Sequence, residues 1–218
     1  MKGRLYTIGH SVVPVENIIV LLKQNLIDYV VDVRSIPYSQ HASQYNKDIF
    51  KGILKVENIS YYHKGKSFGA RQTELSYYNK DGYLDFEAVR KSAEFNKCAE
   101  EIMHSLEKGL NIVLMCTEKD PIDCHRAIMV ARGFELLNVP VTHILHDGSL
   151  QTQQELGERL IKRFFPDHNQ ISLFESEKSE TELLVEAYRA RNKDIGFHKE
   201  NLFKKGEQQD DNFYNGIY

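Results

Sequence analysis

The sequence predicts an α/β fold: a mainly parallel, Rossmann-like sheet flanked by helices, with a C-terminal helical extension. Three observations carry this. Strand-length apolar runs alternate with helical periodicity over the first 147 residues. Two of the runs, "YVVDV" and "NIVLMC", are apolar on both sides, as a buried parallel strand requires. The runs also end in polar clusters, and sheets of this kind collect their sites at the carboxyl edge.

In chain order, "RLYTIGH" (4–10) is a short strand closing on Gly9. Residues 13–26 show helix periodicity, with Val15, Ile18, Ile19 and Leu22 on one face and Pro14 in the first turn. Strand 27–34 follows, then a helix over 47–58 despite Gly52, then a third strand over 59–64. The pattern dissolves into a long loop over 65–82. One long helix is expected over 83–109, stopped by Gly109, then a strand over 110–116. A helix over 124–138, a strand over 141–145 and a helix running to about Phe165 complete the unit. Pro166 marks a division into an α/β domain (4–165) and an extension (166–218), which holds an amphipathic helix and a polar, loose tail.

Composition bounds the function. The chain has 218 residues, 41% hydrophobic and 27% charged, ordinary for a soluble globular protein. A net charge of −3 lends no support to nucleic acid as a partner, although a local basic pocket stays open. Three cysteines (Cys98, Cys116 and Cys124) fit a reducing cytosol better than a disulfide framework. The N-terminus lacks the apolar core of a signal peptide, and no run reaches the length of a membrane span. A cytoplasmic protein is the expectation, and the oligomeric state is not encoded.

The polar residues gather at predicted strand ends. His10 and Ser11 follow the first strand, Asp32, Arg34 and Ser35 the second, and Cys116, Glu118, Cys124, His125 and Arg126 the fourth. A helix starting near Cys124 would offer free amides to an anion, with Arg126 as a bidentate donor; Asp123 as an N-cap competes for those amides. Cys124 has the neighbours that lower a thiol pKa, yet buried cysteine is also common packing. Cys116 at a strand end fits packing. Cys116, Cys124 and His125, with His10, have zinc-ligand chemistry but not the spacing of a paired C-x-x-C site. Asp32 and Arg34 share one side of a strand, as an ion pair or as a ribose and anion holder. His10 suits a general base by residue type, or a hydrogen-bonded structural role. The loop "HKGKSFGAR" brings Lys64, Lys66 and Arg71 beside two glycines without forming a Walker A motif, and G-x-G-x-x-G is absent too. No cofactor is therefore assigned. Tyr38, Tyr45, Tyr61, Tyr62, Tyr77 and Tyr78 near these loops offer stacking surfaces or simple packing.

The segments "TIGHS" (7–11), "VVDVRSIPYS" (30–39), "ISYYHKGKSFGAR" (59–71), "LMCTEKDPIDCHRAIMVA" (114–131) and "THILHDGSL" (142–150) resemble a prokaryotic family, domain of unknown function 488. The resemblance covers roughly residues 4–165. Where that family has Gly-Gly followed by Arg, this chain has Phe68-Gly69-Ala70-Arg71. The resemblance implies a compact α/β domain and supplies no reaction. Carried over by position, it implies His10, Asp32, Arg34, Arg71, Cys116, Glu118, Cys124, His125 and Arg126 as site residues.

The expectation is a hydrolase or group transferase acting on a phosphorylated or nucleotide-like anion. Ser11, Arg34, Ser35, Arg71 and Arg126 would bind the substrate, and His10, Asp32, Glu118, Cys124 and His125 would act on it. The alternatives are a non-catalytic nucleotide or anion sensor, a zinc-bearing regulatory protein, or a constellation that is structural only.

Overall fold

The computed structural model describes residues 2–166 and 178–203. Six strands form one sheet: β1 (Leu5–Gly9), β2 (Tyr29–Asp32), β3 (Ser60–His63), β4 (Ile112–Cys116), β5 (Val141–Ile144) and β6 (Leu150–Thr152). The order is β3-β2-β4-β1-β5-β6, parallel except for the antiparallel β5–β6 hairpin. The helices are α1 (Val15–Gln24), α2 (Lys47–Val56), α3 (Gly65–Phe68), α4 (Phe86–Arg90), α5 (Ala93–Glu107), α6 (Arg132–Leu136), α7 (Gln153–Phe164), α8 (Glu180–Ile195) and α9 (Glu200–Phe203). A π-helix, Arg126–Ala131, runs directly into α6. This is the α/β architecture with a helical C-terminal region that the alternation of runs predicts.

Strand alternation divides the core in two. Leu5, Val31, Val33, Leu114 and Cys116 pack with α4, α5, the π-helix, α7 and α8. Tyr6, Ile8, Val30, Val113 and Met115 pack with α1 and α2 on the other face. β1 and β4 are central, and their register pairs Gly9 with Cys116, so the turns after both strands leave the sheet side by side. The turn after β1 adds His10 N–H to Cys116 O (2.9 Å) and Ser11 N–H to Thr117 O (2.7 Å), with Ser11 at φ 48.

Several boundaries differ from the sequence reading. The single helix expected over 83–109 is two. Asp85 caps α4 by accepting from Glu87 N–H, and Ser92 caps α5 by accepting from Phe95 N–H, so each helix has its own start. The 65–82 stretch opens with the helical turn α3 instead of being loop throughout. The residues after Gly148 form β6 before α7 begins at the Thr152–Glu155 capping box. The helix expected from 124 begins at Arg126 as a π-helix. Asp123 is not its cap: it closes a 3-10 turn (Pro121–Asp123) that Asp120 caps, and its carboxylate pairs with Arg191 and Arg163.

The C-terminal helix is integral to this packing. Ala187 and Tyr188 of α8 are buried in the core, and Asn192 bonds Leu84 O and Phe86 N–H. The expected loose tail (204–218) lies outside the described residues.

Candidate metal centre

The polar residues at the carboxyl edge resolve into two groups on opposite faces of the sheet. Alternation explains the division: Asp32 follows Val30 on the α1/α2 side, whereas Cys116 follows Leu114 on the other.

The first group is a closed network. Asp32, fully buried, takes Arg34 Nε at 2.9 and 3.1 Å, Arg34 Nη2 at 2.6 Å, the Arg34 amide at 3.0 Å and the Tyr61 hydroxyl at 2.6 Å. Arg34 also donates to Tyr45 O (2.7 Å) and to His10 Nε2 (3.1 Å). His10 must then carry its proton on Nδ1, which donates to Ser11 O at 2.6 Å. The imidazole stacks on Tyr45 at 4.1 Å. Burial, reinforced by the Arg34 charge, lowers the His10 pKa to about 3, so the ring stays neutral. Ser35 Oγ accepts from the Arg71 amide at 2.8 Å, and the exposed Arg71 guanidinium lies 5.4 Å over the Phe197 ring. Arg34 and His10 are therefore held by internal partners.

The second group is a cluster of soft and borderline ligands. The ligand atoms of Cys116, Glu118, Cys124 and His125 all lie within 4.8 Å of one another. His125 Nδ1 is 3.8 Å from Cys116 Sγ and 3.9 Å from Cys124 Sγ, and Cys124 Sγ is 2.7 Å from Glu118 Oε2. The other ring nitrogen of His125, Nε2, donates to Val33 O at 3.1 Å, which turns Nδ1 toward the sulfurs. His10, named with this set from the sequence, does not join it, because both its ring nitrogens are engaged on the other face. Glu118 takes that place. It was legible as a polar residue two positions after Cys116, but its nearness to Cys124 needs the fold.

The loop between β4 and the π-helix is pinned to hold this cluster. Arg126, almost wholly buried, donates Nη1 to Glu118 O (2.6 Å) and Nη2 to Lys119 O (3.1 Å). Its backbone amide reaches Cys124 Sγ at 3.4 Å. Gly9 admits the loop: a Cβ there would stand 1.8 Å from Glu118 O. Arg126 thus serves the loop carbonyls, and its Nε is buried without a hydrogen-bond partner among the described residues.

The electrostatics divide the two thiols. Burial disfavours the thiolate at both. At Cys124 the contact with Cys116, the Arg126 charge and His125 outweigh burial and pull its pKa well below the ordinary thiol value. Burial and the neighbouring Cys124 push Cys116 well up. Burial, then Cys124, raises Glu118 to about 7. His125 is held protonated more strongly than an ordinary histidine: Cys124 and Glu118 outweigh its burial. Without a cation, three acidic groups cannot all ionise in so small a space.

Among the described residues no helix is long and apolar enough to cross a membrane. No curated protein and no solved structure matches the chain. The family model described as "Domain of unknown function DUF488" matches residues 14–132, more than half of the chain, and the chain belongs to that family.

Proposed function

We propose that the protein binds one zinc-type divalent ion through Cys116, Cys124, His125 and Glu118. The observation that carries this reading is the convergence of four ligand atoms, two of them sulfur, within 4.8 Å. Zinc bonds of about 2.3 Å to sulfur and 2.0–2.1 Å to nitrogen give tetrahedral S–N edges of roughly 3.6 Å. The two S–N distances here are 3.8 and 3.9 Å. The Glu118 carboxylate would swing away from Cys124 by under about 1 Å to complete the set. The ion would also offset two of the three negative charges that burial crowds together.

A second reading rests on Glu118, the half-buried member of an otherwise buried set. Three ligands, Cys116, Cys124 and His125, would leave a coordination position for water, and Glu118 would act as its general base. That is the hydrolase version of the site. The phosphate-binding part of the original expectation draws less support, since Arg34 gives its donors to Asp32, Tyr45 O and His10, and Arg126 gives two of its own to backbone carbonyls.

Elemental analysis and competition against a chelator test the proposal on the full chain under reducing conditions. One zinc per chain is expected, with loss on Cys124→Ser and a thiolate-to-cobalt charge-transfer band on cobalt substitution. Glu118→Gln separates the readings: a ligand role weakens the metal by about tenfold or more, whereas a base role leaves affinity unchanged. A wild-type chain that takes up no stoichiometric metal and gives no cobalt band would overturn the proposal.

A further inference from the structure

A cleft of about 430 Å³ lies away from the metal cluster, between α4, α5, α6 and α8. Its size falls within the range of small-molecule sites. Phe86, Phe95, Ile128, Leu137 and Tyr188 supply apolar wall. Four cations line it, Arg90, Lys91, Arg132 and Arg189, against two acids, Asp85 and Glu87.

The acids are engaged. Glu87 pairs with Lys91 (2.8 Å) and Arg189 (3.3 Å), and Asp85 caps α4. Arg132 pairs with Glu135 and lies 4.6 Å over the Tyr188 ring. Arg90 differs. Among the described residues it has no carboxylate partner, and its guanidinium makes one long bond, Nη1 to Ile128 O at 3.4 Å. It is half-buried, and its stem packs beside Gly133, where a Cβ would meet Arg90 Cδ at 3.3 Å and the Phe95 ring at 2.5 Å. Burial and the like charge of Arg132 work against its ionised form and together outweigh the nearby Glu87 and Asp85, which favour it. A guanidinium in that setting has several unspent donors and a repulsion that an anion would relieve.

We propose that this cleft binds a small organic anion, a carboxylate or phosphate ester with an apolar body, whose anionic group sits on Arg90 beside Arg132. The apolar walls would take the body, and the planar fork of Arg90 would fix the head. The cleft shares no side chain with the metal cluster, so the inference stands apart from the zinc reading.

Phenyl phosphate and benzoate are suitable probes, with inorganic phosphate as the head alone and phenol as the body alone. Titrations of the full chain as purified, with its metal retained, followed by methyl resonances of Ile128 and Leu137, should saturate for at least one complete probe and shift those two methyls. Each fragment alone should bind more weakly. Arg90→Met, which keeps the stem, should weaken the complete probe by about tenfold or more, whereas Lys80→Met, at an exposed position outside the cleft, should not. No saturable binding of either complete probe at millimolar concentration would overturn the proposal. So would shifts confined to other residues, or equal affinity in the Arg90→Met variant. The methyl shifts need no variant, so the proposal stays testable if Arg90→Met misfolds.

Discussion

Replacing Arg34 by methionine should cost about 3–5 kcal/mol of stability. The substitution removes three contacts from the guanidinium to Asp32, at 2.6, 2.9 and 3.1 Å, and two further bonds, to Tyr45 O at 2.7 Å and to His10 Nε2 at 3.1 Å. Asp32 has no solvent exposure and would keep only the Tyr61 hydroxyl and one backbone amide. An ionised carboxylate left that way cannot recover its solvation, and the penalty is large against a typical total of about 5–15 kcal/mol. In a chain of this length the melting temperature should fall by about 6–20 °C. Urea unfolding of wild type, Arg34→Met, Asp32→Asn and the double variant measures it. The double variant should lose less than the sum of the singles, by about 0.5–3 kcal/mol, because each single strands the other charge. A loss below about 1 kcal/mol for Arg34→Met, or strict additivity, would refute a structural pair and return Arg34 to the substrate-binding candidates.

Two further outcomes follow from the central strands. His143 is fully buried, bonds Thr7 Oγ1 at 2.8 Å, and has its pKa lowered to about 3 by burial and then by Arg126. The unfolded chain therefore takes up this proton first, so the contribution to stability is full above about pH 6.5 and drains as pH falls toward 3. Denaturant unfolding in chelator should show His143→Gln flattening the fall between pH 6 and 4 by up to about 1 kcal/mol per pH unit; an unchanged slope would contradict the assignment. Gly9→Ala would drive a Cβ to 1.8 Å from Glu118 O, so it should cost about 1–3 kcal/mol and weaken zinc binding; a variant with wild-type melting and metal content would show that the loop is not pinned there.

The sheet was legible because its central strands are apolar on both faces, and "VVDV" or "IVLM" has few other homes in a chain this polar. What stayed hidden had weaker or competing signals. The π-helix is buried at every position from Arg126 to Ala131, so no polar face exists to reveal its period. β6 is three residues of half-exposed hairpin with no alternation to read. The break between α4 and α5 was written in Asp85 and Ser92, but apolar residues continue across it and outvoted the caps. At the site, the chemistry-bearing residues could be named and their partners could not. Asp32–Arg34 as an ion pair and Cys116–Cys124–His125 as ligands both stood among the alternatives. The face each occupies depends on strand registers that a sequence does not print.

That division changes what the arginines do. An edge rich in guanidinium groups suggests an anion to be bound, yet the nearest demand is from the protein's own backbone and buried acid. Arg126 grips the carbonyls of Glu118 and Lys119 and so sets the loop that carries the Glu118 carboxylate to Cys124. Asp32 and Arg34 fix the end of β2, and the adjacent Val33 carbonyl is the acceptor that orients His125. Both arginines therefore act on the sulfur cluster from outside, one through a loop and one through a strand end. On this account, disturbing either should move metal affinity before it moves any affinity for phosphate, the reverse order from an anion pocket.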